Sequence, residues 1–140
     1  MDVRPTRPRD RLGRPLDPAD PQGLAYPPAP EPVDLTNRDA WTLGVDFIDQ
    51  ELPFHAHEIF EQRWKACPAA ERDAWQVLAQ WGAALTHQAR GNEVGAYRVA
   101  VRAHRSWRAL TLIPDPIDHQ RVDESLTQLA TPGVDHRPSS

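Results

Sequence analysis

The run PFHAHEIFEQRW, residues 53–64, carries the side chains best suited to chemistry. On a helix, at about 100° per residue, His57, Phe60, Glu61 and Trp64 share one face, while Glu58, Gln62 and Lys65 point elsewhere. An imidazole and a carboxylate at i and i+4 can form a hydrogen-bonded pair, half of a metal site or an acid/base pair. The plainer reading is that His57 and Glu61 satisfy each other and anchor a helix end, since buried polar groups are normally paired. Zinc or iron would want a third ligand from another helix, and neither an HExxH run nor paired ExxH motifs occur. His55 faces about 200° away from His57, so the HAH triplet is not a chelate on a helix.

A second polar stripe follows in DAWQVLAQWGAALTHQARGN. Gln76, Gln80, Ala83 and His87 fall within about 60° of arc. If this stripe meets the first helix face, His57, Glu61, Gln80 and His87 converge, and His57, Glu61 and His87 become the metal-ligand candidates. If it faces solvent, it is an ordinary polar surface. His104 sits among apolar positions and reads as a satisfied core histidine. Arg98, Arg102 and Arg105, with Arg108 nearby, form a basic stripe. Such stripes are usually solvated and salt-bridged, while contact with phosphate or nucleic acid is the sharper alternative. The acidic residues beyond Asp115 could also dock there.

These residues have to be positioned by helices. Thr36 or Asn37 caps a helix whose stripe is Trp41, Val45 and Ile48, with Leu43 and Phe47 beside it. Pro53 ends that helix and opens the next, about Phe54 to Ala66, which turns Ala56, Ile59, Phe60 and Trp64 inward and stops at Pro68. A third helix spans about Ala69 to Ala89, with Trp75, Leu78, Trp81, Gly82 and Leu85 inward and Gly91 as its terminator. Asn92 caps a fourth, which runs to about Leu112 with Tyr97, Ala100, Val101, His104 and Trp107 facing in. A short fifth helix covers Gln120 to Ala130.

A shift of forty residues superimposes the two hairpins. Gly44 falls on Ala84, Glu51 on Gly91, Ala56 on Ala96 and Phe60 on Ala100. The first hairpin alone resembles the tetratricopeptide pattern. Two units are too few for a solenoid, so the hairpins are expected to bury each other's faces as an all-α four-helix bundle.

Composition divides the chain in the same places. All five tryptophans lie between positions 41 and 107, and nine of the fifteen prolines precede residue 36. Aromatics supply the burial that offsets chain entropy, and Pro-rich polar stretches do not. The expected organisation is a Pro/Arg-rich arm over 1–36, extended or disordered, a helical-hairpin domain over 37–112, and an acidic tail over 113–140. Leu12, Leu16, Leu24 and Tyr26 would peg the arm to the core if it acts as a strap. Residues 37–112 carry nine bases against nine acids, so most of the net charge of −4 comes from the tail. A neutral core disfavours nucleic acid as a partner. A lone Cys67 excludes a disulfide framework. No apolar run approaches the roughly 20 residues that span a bilayer, and MDVRPTRPRD has charge and proline where a signal peptide would need an apolar stretch. A cytoplasmic protein is expected.

Together, FHAHEIFEQRWKACPAAERDAWQ and QWGAALTHQARGNEVGAYR resemble the family catalogued as domain of unknown function 309, small all-α proteins with an AHE-x-x-E-x-x-W motif and a downstream Gln…His…RGN segment. The resemblance covers about residues 40–108, and the RPRDRLGRPL arm is similar to that of actinobacterial members. His57, Glu58, Glu61, Trp64, Gln80, His87, Gly91 and Asn92 fall on the motif positions. Thr86 departs from them where a second histidine is common, as does the bulky Trp81. The resemblance implies an all-α fold and the place of a candidate polar site; it implies no activity.

The leading expectation is a non-enzymatic interaction or scaffold module that takes a protein partner or a second copy of itself. Opposed to it is a small metal-dependent or acid/base enzyme using His57, Glu61 and His87. Polyanion binding through the arginine stripe is a third option. No cofactor is expected, and a divalent metal is the one group that the donor set would suit.

Overall fold

The computed structural model describes residues 34–132, and these form helices joined by turns and loops, without strands. The arm expected over residues 1–36 falls almost wholly outside them. Five helices follow one another: α1 (Asn37–Asp49), α2 (Pro53–Ala66), α3 (Arg72–Ala89), α4 (Glu93–Arg108) and α5 (His119–Leu129), with one 3-10 turn, Ala69–Glu71, leading into α3. The all-α hairpin architecture expected from the sequence is present as a small helical bundle.

The boundaries follow from local chemistry. Thr36 and Asp39 form a capping box that satisfies the first free N–H groups of α1. Pro53 takes the first position of α2, where its missing N–H costs nothing. Asn92 accepts from the Gly95 N–H at 2.9 Å, and Asp118 accepts from the Arg121 N–H at 3.2 Å. Glu51 has φ 60° and Gly91 φ 80°, the two left-handed residues of the described chain. They lie forty residues apart, at matching positions of the two hairpins. Arg63 ties the hairpin ends together: it donates to Asn37 Oδ1 and to the Leu35 carbonyl, each at 2.8 Å.

The residues that line the helix crossings are smaller than the apolar stripes suggested. On α1 the buried positions are Ala40 and Gly44, whereas Leu43 is exposed and Trp41, Val45 and Ile48 are half-buried. On α4 they are Ala96, Ala100, Ala103 and Trp107; Tyr97, expected inside, is 39 % exposed. Alanine and glycine let backbones approach, and the aromatics then fill the space beside each crossing. Trp81 lies between two rings, with Trp41 at 6.3 Å and Phe60 at 6.0 Å between centroids, and Phe60 meets Trp75 at 6.2 Å.

The core continues past residue 112. Ile117, Val122, Leu126 and Leu129 all belong to it. The fifth helix closes the bundle over Trp81: the indole Nε1–H donates to Ser125 Oγ at 2.8 Å, and Arg121 pairs with Asp49 of α1 at 2.7 Å. His104, expected inside the core, is half-buried against α5, with Nε2 3.3 Å from Thr127 Oγ1 and 3.8 Å from Asp123. Leu126 is fully buried, so Leu126→Ala should cost about 2–5 kcal/mol in chemical denaturation. A change below about 0.5 kcal/mol would mean that α5 is not part of the cooperative unit.

Candidate metal centre

Three donors on the solvent-facing flank of α2 converge. His57 Nε2 lies 3.8 Å from Glu61 Oε2 and 4.0 Å from Glu58 Oε2. The three ligand atoms all lie within 4.8 Å of one another, and all three residues are half-buried. Glu58, which the helical wheel turned away from His57, thus joins the cluster: a long side chain about 100° round the helix can still swing toward it. Glu61 also faces Lys65, whose Nζ lies 3.4 Å from its other oxygen. The Phe54 ring lies against His57, with centroids 5.9 Å apart. Trp64, one turn on, is half-buried.

What fixes the imidazole comes from α3. His57 Nδ1 is 2.8 Å from the main-chain oxygen of Ala79. A carbonyl can only accept, so Nδ1 carries the proton and donates. In the neutral ring Nε2 then presents a lone pair toward two carboxylates. Separations of 3.8 and 4.0 Å are too long for hydrogen bonds. Ligands on a common zinc-sized ion, with legs of about 2.0–2.2 Å, stand roughly 3.3 Å apart, so small rotations of the glutamates would close the set on a cation. A ligating histidine typically donates its other N–H to a backbone carbonyl or carboxylate, as His57 does.

The helices can come this close because residue 82 has no side chain. A Cβ built on Gly82 would stand 2.8 Å from His57 Cα and 2.9 Å from its backbone nitrogen. Main-chain atoms cannot rotate out of the way. Gly82, which the periodicity already turns inward, and Ala79, which no motif marks, are the positioning residues. A glycine inside a long helical pattern was the available signal, because it loses helix stability unless packing requires it.

The rest of the polar stripe goes elsewhere. Ala79 and Gly82 face α2, while Gln76, Gln80 and His87 lie about 60–100° round α3 from Ala79 and about 120–160° from Gly82, toward α4. Gln76 and Gln80 line a groove of about 260 Å³ with Asp73 and Ser106. His87 is eight residues beyond Ala79, about 12 Å along the helix, and does not join His57 and Glu61. Its Nδ1 lies 3.1 Å from Asn92 Nδ2 and its carbonyl accepts from the Asn92 N–H at 2.9 Å. With Gly91 left-handed between them, His87 and Asn92 lock the α3–α4 turn. His55 is buried beside Phe47, with centroids 5.2 Å apart, on the opposite side of α2 from the cluster.

Arg98, Arg102, Arg105 and Arg108 are all exposed on α4, and none has an ion-pair partner among the described residues. Cys67 is buried at the end of α2, and loss of hydration pushes its thiol above the ordinary value.

Residues 41–99 match the family model described as Domain of unknown function (DUF309), and over that span the chain resembles this family. The span holds His57, Glu58, Glu61, Trp64, Gln80 and His87. No curated protein and no solved structure matches the chain. No described helix is long and apolar enough to cross a membrane.

Gly82→Ala should force α2 and α3 apart, lower stability by about 1–3 kcal/mol and break the His57–Ala79 hydrogen bond. Chemical denaturation and ring-nitrogen NMR of His57 check this; an unchanged ring signal in the variant would show that the close approach does not set the imidazole.

Proposed function

We propose that the chain is a small helical module of the cytoplasm that binds a divalent cation through His57, Glu58 and Glu61. The observation that carries this reading is the 2.8 Å contact from His57 Nδ1 to the Ala79 carbonyl, which leaves Nε2 to face two carboxylates. One imidazole nitrogen and two carboxylate oxygens suit zinc, manganese or ferrous iron better than magnesium or copper(I). Three protein donors on a solvent-facing flank leave coordination positions for water or a bound ligand, the ligand count typical of sites that act on something. Three donors from a single helix, with no fourth protein ligand among the described residues, favour an exchangeable ion over a permanent structural one.

Isothermal titration of metal-free protein with zinc and with manganese tests the proposal. One equivalent should bind, the ion should raise the melting temperature, and His57→Ala or Glu61→Gln should weaken binding at least tenfold. Stabilisation near 2.7 kcal/mol is expected at a hundredfold excess over Kd. Should His57→Ala lower the melting temperature equally with and without metal, the cluster is a structural ion pair and the proposal fails.

A second reading, an interaction module, is supported by α4. Val94 is 61 % exposed beside four arginines without ion-pair partners among the described residues. A basic face without internal ion pairs can meet the complementary acidic surface of a protein partner.

A further inference from the structure

We propose that the outer face of α4 docks on the outer face of α1 of a second copy of this chain, giving weak head-to-tail association. The inference rests on the interaction-module reading and names its partner; it does not depend on the cation site.

Two exposed faces match each other in charge and spacing. On α4, Arg98 and Arg105 lie seven residues apart, about 10.5 Å along the helix, with Val101 between them and Val94 and Arg102 on the same arc. On α1, Asp39 and Asp46 also lie seven residues apart, with Leu43 between them. Asp39 and Asp46 are exposed, and Leu43 is 37 % exposed. Neither aspartate has an ion-pair partner among the described residues: Asp39 caps the start of α1, and Asp46 accepts from Gln50 at 2.8 Å. Arg98 and Arg105 are likewise unpaired there. Two aspartates spaced like two arginines, each pair bracketing an apolar side chain, can form two ion pairs around one apolar contact.

The charge of the whole domain favours such a partner. Residues 34–132 carry ten Lys and Arg against fourteen Asp and Glu, and four of the ten bases stand on this one face of α4. A helical domain of net negative charge with one basic face attracts its own acidic side, most strongly at low salt. The α4 and α1 faces are different surfaces, so the contact is heterologous and adds copies in a row unless it closes into a ring. Exposed ion pairs are each worth little, which keeps the association weak.

Sedimentation velocity of the full chain, from about 10 to 500 µM and in roughly 50 and 300 mM salt, provides the test. Average mass should at least double at the high-concentration, low-salt end and return to monomer in high salt. The double variant R98E/R105E should stay monomeric, and so should D46R. An equimolar mixture of the two should associate again in pairs, because the unaltered α4 face of D46R still meets the unaltered α1 face of R98E/R105E. That recovery also shows both variants to be folded. Association of R98E/R105E as strong as wild type, or a mixture no heavier than its parts, overturns the proposal. Should wild type stay monomeric throughout, a poly-glutamate peptide separates the two levels of inference. Salt-sensitive binding lost in R98E/R105E overturns self-docking alone, and no binding overturns the interaction reading as well.

Discussion

Gly82 sits where α3 passes the backbone of His57 too closely for any side chain, and much of the molecule follows from that contact. The crossing brings the Ala79 carbonyl within hydrogen-bond reach of the imidazole. It also turns Trp75 and Thr86 to the same side of α3, where both are buried. With α2 and α3 fixed, Phe60 meets Trp75 and Trp81 in the same layer. A methyl group at residue 82 would separate main chain from main chain, a displacement that side-chain rotation cannot absorb.

The second organising residue is Trp81. Its ring lies between Trp41 and Phe60, and its N–H reaches Ser125 on α5, so one side chain links four helices. For this indole α5 supplies the acceptor, and it covers the remaining apolar surface with Val122, Leu126 and Leu129. Two acids of this segment have local partners: Asp118 caps α5 and Asp123 faces His104.

Helix number, order and ends were legible because they depend on local chemistry: the Thr36–Asp39 box, Pro53, the Gly91–Asn92 turn. The forty-residue repeat was legible for the same reason, and it reappears as the paired left-handed residues Glu51 and Gly91. Less legible was which side of each helix faces in. Periodicity weights large side chains, whereas the closest crossings are lined by Ala40, Gly44, Ala96, Ala100 and Ala103, so Leu43 and Tyr97 turned outward against expectation. The polar stripe of α3 was correctly grouped, but its direction is a tertiary property: Gln80 and His87 face α4 and leave His57 to the glutamates of its own helix. The two polar segments of this chain thus divide by role: His57, Glu58 and Glu61 gather donor atoms, and His87, Gly91 and Asn92 build a turn.

The proposed cation site depends on the proton on the far side of the His57 ring. With Nδ1–H given to Ala79, His57 offers Nε2 as a ligand; with the proton on Nε2, it would be a donor to carboxylates and could hold no ion. Long-range nitrogen–proton NMR of His57 in metal-free protein at about pH 8, above the ordinary imidazole range, reads that proton directly. Nδ1 should be protonated and Nε2 bare, with Nε2 shifting on addition of zinc. A proton on Nε2 that remains when zinc is added would contradict the proposed cation site.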